Sequence, residues 1–213
     1  MEKYWDSRAD IVIQEQGGSV LVVENFVKRR GQISRLLRYS DHIYKKDVLE
    51  VGPGAGILGK MLSMCYCDGI KYRASELSPH FAEMARRIYK LDISVGEIRN
   101  LDYPTSSFDS CIIFDVLEHV PVGHRSDAAK EISRVLRDDA MLFCHIPLSE
   151  SGHEQHEYGF SLIDLAAFSA DAGLWIIDYE KYTVMTYGGL ERSYGWCVLA
   201  RPKDKHNCQR MAP

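Results

Sequence analysis

The chain has 213 residues, 46% of them hydrophobic and 26% charged, with a formal net charge of −4. That length is one domain with a small appendage. The composition sets aside bulk disorder and a membrane span, and the acidic balance argues against a basic face for nucleic acid. The opening residues, Met1-Glu-Lys-Tyr-Trp-Asp-Ser-Arg8, mix charges with aromatics and hold no secretory core. Cys111, Cys144 and Cys197 lie in apolar runs, and Cys65-Tyr-Cys67 has no second close pair to complete a zinc site. The expectation is a reduced, cytoplasmic protein, monomeric or homodimeric.

Hydrophobic period predicts a helix over Val20–Arg38, then a strand over Asp47–Val51 and a helix over Ile57–Met64. A strand over Lys71–Leu77 leads to a helix over Pro79–Leu91, with Pro79 in its first turn and Ser78 as its cap. Strands follow at Ile93–Val95 and Ser110–Asp115. The helix Arg125–Arg137 buries a stripe of Ala129, Ile132, Val135 and Leu136, and a strand at Met141–Ile146 comes next. The helix Leu162–Ala172 precedes two last strands, Leu174–Tyr179 and Gly195–Ala200. Strands alternating with helices imply an α/β fold around a mostly parallel sheet. Only Thr183–Tyr194, with no helical pattern, separates the last two strands, so they are expected to be antiparallel. Residues 1–44 form an N-terminal helical lid segment, 45–202 the main domain and 203–213 a polar tail in this reading.

The most informative stretch is Glu50-Val-Gly52-Pro53-Gly54-Ala-Gly56-Ile57, an apolar strand running through a glycine-dense turn into a helix. Glycine lets a ligand approach the backbone, and the helix start beyond offers free N–H groups. Such an edge suits a nucleotide-type ligand. Ile57 occupies the place of the third glycine of a dinucleotide loop, which disfavours a dehydrogenase, and Glu50 at the mouth would repel phosphate but suit a cation. Glu76 closes the second strand 22 residues after Gly54, a distance at which an acid can accept from ribose hydroxyls. Leu77 follows it. Behind the third strand come Gly96-Glu97-Ile98, where Glu97 can accept from an exocyclic amine and Ile98 can cover a flat base.

This ensemble resembles the class I S-adenosylmethionine-dependent methyltransferases over roughly residues 45–150, with a continuation to 202. Glu50-x-Gly52-x-Gly54-x-Gly56 is similar to the family's first motif, Glu76 to its ribose-binding acid and Gly96-Glu97-Ile98 to its adenine contact. Tyr103-Pro-Thr-Ser-Ser-Phe108-Asp109, Phe114-Asp115-Val116-Leu-Glu118-His119 and Glu131-Ile-Ser-Arg134-Val-Leu-Arg137 resemble later segments, with Asp138-Asp139-Ala140 in place of the usual turn. The resemblance implies a Rossmann-like, doubly wound, seven-stranded sheet with an antiparallel last strand. It implies S-adenosylmethionine as cofactor, held by Glu50, Gly52, Pro53, Gly54, Gly56, Glu76, Leu77, Glu97, Ile98, Asp115 and Val116. The ubiquinone-pathway branch is the nearest subtype, and a small molecule the expected acceptor.

A sulfonium methyl is already activated, so the protein must align nucleophile, carbon and sulfur. A hydroxyl acceptor must also lose its proton. His119 is the candidate base; a histidine there can equally bridge loop backbone. A sharper alternative groups Asp115, Glu118 and His119 with His153 and His156 around a divalent ion. That set resembles the metal-dependent branch that methylates 2′-hydroxyls at RNA 3′ ends. The expectation is no metal, with Asp115 facing the donor's amino-acid part. A non-catalytic nucleoside-binding protein is the third reading. Tyr4-Trp5 and Arg8 belong to the lid, and Arg29 and Arg30 are offered either to a carboxylate or to solvent. The stretches Leu148–Phe160 and Thr183–Tyr194 should wall the acceptor site with Tyr158, Phe160, Tyr182, Tyr187 and Tyr194.

Overall fold

The computed structural model describes residues 2–4, 6–7, 29–67, 69–149, 157–185 and 191–202. Seven strands form one sheet: β1 (Asp47–Val51), β2 (Lys71–Glu76), β3 (Ile93–Val95), β4 (Phe108–Phe114), β5 (Leu136–Pro147), β6 (Trp175–Met185) and β7 (Glu191–Ala200). Their spatial order is β3-β2-β1-β4-β5-β7-β6. The first five run parallel, and β7 lies antiparallel between β5 and β6. This is the Rossmann-like, doubly wound arrangement that the alternation of elements implied. The strand order reverses at β1 and β4, so a crevice opens above their carboxyl ends.

The helices are α1 (Ile57–Tyr66), α2 (Pro79–Tyr89), α3 (Arg125–Val135) and α4 (Leu162–Asp171). Residues 29–36 are also helical and pass into a tight helical turn, Leu37–His42. Alternate residues of the central strands feed two cores. On one face Val48, Ile112, Phe114, Phe143 and Trp196 pack with Leu36, Ile43 and Leu58. On the other, Leu49, Cys111, Ile113 and Leu142 meet Ile132, Leu165 and Phe168. Ile33, Leu36 and Ile43 of the segment read as a lid thus join the core, while most of residues 1–28, with Trp5 and Arg8, lies outside the described residues. Ser78 caps α2 as its sequence suggested, its hydroxyl accepting from the Phe81 N–H at 3.2 Å.

Three elements differ from expectation. The helix expected through Arg137 stops at Val135, because Leu136 already pairs with Phe108 of β4. Asp138-Asp139-Ala140 is therefore not a free loop but part of β5, inside a bulge where the register jumps between the pairs Phe108–Leu136 and Ser110–Met141. Arg137 in that bulge holds Asp109 at 2.7 Å and Asp47 at 3.2 Å, which ties the lower ends of β5, β4 and β1 together. Thr183–Tyr194 is likewise not an insert: β6 runs on to Met185 and β7 starts at Glu191, with Thr183 paired to Ser193. Cys111, Cys144 and Cys197 are buried free thiols, and Cys65 and Cys67 are exposed.

Candidate active site

The crest is built where β1 gives way to α1. Gly52 has φ +70° and its N–H donates to the Ser75 carbonyl at 2.9 Å, which ties the turn to β2. A Cβ on Gly52 would lie 2.5 Å from Val116 Cγ2, so the loop and the end of β4 are packed against each other there. Gly54 has φ +54°, and a Cβ on it would meet nothing within 4 Å. Pro53 and Gly56 are buried, and Gly56 starts α1 with no side chain capping it, leaving first-turn N–H groups for a ligand.

Both acids of the crest are buried. Glu76 receives the Gly54 N–H on Oε2 at 2.8 Å and the Ser78 N–H on Oε1 at 2.9 Å, so one carboxylate aligns the glycine loop and the start of α2. Burial raises its pKa, against the pull of those backbone donors. Glu50, 2% exposed, accepts from the Tyr72 hydroxyl at 2.5 Å. Burial pushes its carboxyl up to about 7, with the Tyr72 bond and the Arg29 charge opposing. Asp6 of the N-terminal segment reaches Ser78 Oγ at 2.5 Å, so that segment touches the crest beside Glu76.

The remaining nominated donor contacts fall into two groups. At the β3 end Glu97 forms an ion pair with Arg99, and Ile98 is nearly buried in the core beneath the edge. Leu77, half-buried, follows Glu76 on the crest. At the β4 end Asp115 has φ +58° and gathers Arg29 (3.0 Å), the Gln32 amide (3.2 Å) and Nδ1 of His145. Burial works against its charge, but His145 and Arg29 outweigh it and hold the carboxyl down at about 2. Arg29 therefore reaches a carboxylate, and Arg30 is exposed.

His119 closes a single helical turn, Leu117–His119, with its N–H bonded to the Val116 carbonyl at 2.9 Å. Its Nε2 stands 3.8 Å from Glu118 Oε1. Glu118, His119 and Glu157 each bring one ligand atom to within 4.8 Å of the others. Glu118 is 2% exposed, and its Oε2 has no partner among the described residues. Burial first, then the charges of Asp115 and Glu157, push its carboxyl well above the usual carboxylate range. Asp115, grouped with this set from sequence, is turned instead to Arg29 and His145; His153 and His156 lie outside the described residues.

The aromatic wall divides in the same way. Phe160 is core and Tyr158 is exposed; Tyr187 lies outside the described residues. Tyr182 and Tyr194 stand at the crest, stacked at 5.7 Å with Tyr194 also stacked on His145 at 5.0 Å. His145, Gln32 and Tyr72 are the site residues that sequence reasoning missed. His145 sits inside the apolar run Met141–Ile146, where nothing local distinguishes it from a packed core residue.

Residues 49–144 match a family described as a methyltransferase domain. No curated protein matches the sequence. The fold is shared with a SAM-dependent methyltransferase from Methanosarcina mazei (15% identity, 78% of this chain and 97% of that one, TM-score 0.65). It is also shared with a protein from Pyrococcus horikoshii OT3 (16% identity, 89% and 93%, TM-score 0.69). A third is a geranyl diphosphate methyltransferase in complex with its diphosphate and sinefungin (15% identity, 76% of each chain, TM-score 0.61). Residues 49–144 are thus similar to a methyltransferase domain, and the sheet that carries them has the Rossmann-like strand order. The match supports an S-adenosylmethionine-dependent enzyme, with that sulfonium nucleoside as cofactor.

Proposed function

We propose that the enzyme transfers the methyl group of S-adenosylmethionine to a hydroxyl or amine of a small molecule. The observation that carries this reading is the join at Val116. The glycine loop touches Val116, and the adjoining Asp115 opens directly onto the histidine and tyrosines of the crest. Donor and acceptor sides thus meet within one residue step. Glu50, Gly52, Pro53, Gly54, Gly56, Glu76, Leu77, Glu97, Ile98, Asp115 and Val116 are assigned to the donor in this reading. The N-terminal segment 1–44 is assigned to the acceptor side in this reading, supported by its described residues Arg29 and Gln32 on Asp115. The net charge of −4 supports a small acceptor over nucleic acid, in a cytoplasmic monomer or homodimer. Among the described residues no helix is long and apolar enough to cross a membrane.

Calorimetric titration with S-adenosylmethionine and with NAD tests the donor assignment; heat with NAD alone would overturn it. Glu76→Ala should weaken donor binding by about 1–3 kcal/mol, roughly 5- to 150-fold in Kd, through lost ribose bonds and a slackened loop. An unchanged Kd removes Glu76 from the donor site. His119 is the base nominated by sequence. His119→Ala should slow turnover by roughly 10²–10⁴-fold while donor Kd stays within about twofold; unchanged turnover removes it from the chemistry.

A second reading is favoured by the unpartnered Glu118 Oε2. Glu118, His119 and Glu157 have the donor types and spacing to hold a hard or borderline divalent ion, which would acidify an acceptor hydroxyl. Turnover lost in EDTA and restored by magnesium would assign the three residues to that role.

A further inference from the structure

A histidine absent from the family-like motifs occupies the centre of the crest. His145 leaves β5 only 3% exposed, yet both ring nitrogens are engaged. Nδ1 faces Asp115 Oδ1, with the Gln32 side-chain amide also 2.8 Å from it, and the tautomer that donates Nδ1–H to the carboxylate is the one the relay uses. Nε2 then offers its lone pair, and the Tyr182 hydroxyl lies 2.6 Å from it. Three strand ends supply the three groups: Asp115 follows β4, His145 lies near the end of β5 and Tyr182 near the end of β6.

Each member is held. Asp115 is fixed by Arg29 and Gln32, and the Gln32 amide is oriented in turn by Arg29 on its oxygen at 2.8 Å. The imidazole lies between the edge of Phe114 and the face of Tyr194. The Tyr182 ring is clamped between Tyr194 and the Arg35 guanidinium, 4.0 Å from its centroid, and Arg35 is itself anchored on Glu180 at 2.5 Å. Preorganisation of this kind makes a proton path efficient, because no group must turn before the proton moves.

We propose that Asp115, His145 and Tyr182 form a proton relay for the methyl acceptor, with Tyr182 as the member that touches the acceptor. This rests on the methyl-transfer reading above but gives the acceptor proton to Tyr182 in place of His119, so the His119→Ala and Tyr182→Phe kinetics decide between the two bases. As the acceptor oxygen or nitrogen attacks the methyl carbon, its proton passes to Tyr182 Oη, and the Tyr182 hydroxyl proton passes to His145 Nε2. The carbon–sulfur bond breaks with its electron pair going to sulfur, so the sulfonium becomes a neutral thioether. The positive charge that the donor loses reappears on the His145 imidazolium, beside the Asp115 carboxylate. Tyr182 is half-buried and His145 is enclosed, so Tyr182 is the catalytic contact and His145 and Asp115 are positioning and proton-storing residues behind it. The charged and titratable groups facing the ring are Asp115, Tyr182 and Tyr194, with Arg29, Arg35 and Glu180 behind them.

The test uses the full chain as wild type, Tyr182→Phe and His145→Gln. Calorimetry with S-adenosylmethionine comes first; absence of heat in the wild type overturns the methyl-transfer reading itself, whatever the relay does. Nitrogen-15 NMR of the imidazoles then reads the relay without an acceptor. Tyr182→Phe should move the His145 Nε2 resonance and leave donor affinity within about twofold, since the phenol oxygen alone is removed. A panel of a phenol, a catechol, a primary alcohol and an amine, with labelled donor, gives the kinetic arm. With any acceptor methylated, Tyr182→Phe should lower kcat by about 10²-fold or more and abolish its acid limb. The double variant should lose little beyond the single ones. An Nε2 resonance indifferent to Tyr182→Phe overturns the proposal, as does a kcat within about threefold of wild type with its pH profile intact.

Discussion

Gly54→Val should abolish donor binding while the fold stands. A valine at φ +54° adopts a left-handed conformation, at about 1–2 kcal/mol. The protein offers no steric objection, because a Cβ there meets nothing within 4 Å. Its branches instead project into the open space above the loop, which the proposed site gives to the ligand. The obstruction is therefore of the ligand and not of the loop. Calorimetry with S-adenosylmethionine should show no heat, and thermal unfolding should fall by only about 2–8 °C. Gly52→Ala is the instructive contrast, since its Cβ would lie 2.5 Å from Val116 Cγ2 and must displace it. Wild-type affinity in Gly54→Val would place the donor elsewhere.

Arg125→Met should be the most destabilising single change among those considered. Arg125 is 7% exposed and donates to the Val120 carbonyl (3.1 Å), the Gly159 carbonyl (2.5 Å) and Asp164 Oδ1 (2.6 Å), with its guanidinium over the Phe160 ring. Methionine keeps much of the length and loses every donor. Two carbonyls are left without this partner, while Asp164 keeps its Ser161 capping bonds at 2.8 and 2.6 Å. Breaking a buried charge pair costs about 3–5 kcal/mol, and the retained cap argues for the lower end. At about 2–4 °C per kcal/mol for a chain of this size, melting should fall by roughly 6–12 °C. A loss under about 2 °C would show that the surrounding turns hold without the arginine. The same residue joins the turn bearing His119 to the segment bearing Glu157, so turnover should suffer along with stability.

The parts of this molecule that sequence reveals are those whose signals are local. β1 and β3 have the bounds expected of them, because each run gives way to a glycine, which weakens a strand interior. The glycine loop and Glu76 are legible for the same reason. β5 is not, since Leu136-Arg-Asp-Asp-Ala reads as a helix end and loop; only pairing with β4 and the Arg137 ion pairs draw it into the sheet. The hairpin ends were missed because Lys181, Thr183 and Glu191 are exposed and break the apolar signal. His145 is the most instructive case. Its partners lie 30, 37 and 113 residues away in Asp115, Tyr182 and Gln32, so no window of sequence contains the arrangement.

The reversed direction of β7 makes strand phase a chemical variable. Tyr194 faces His145 because Pro147 pairs with Tyr194 and Trp196 with His145 across an uninterrupted antiparallel ladder. Side chains alternate along a strand, so one residue inserted between Tyr194 and Trp196 would swing Tyr194 to the opposite side. The imidazole would lose its aromatic backing although every polar group of the crest was still encoded. Length in this hairpin is therefore as consequential for the crest as the identity of the side chains upon it.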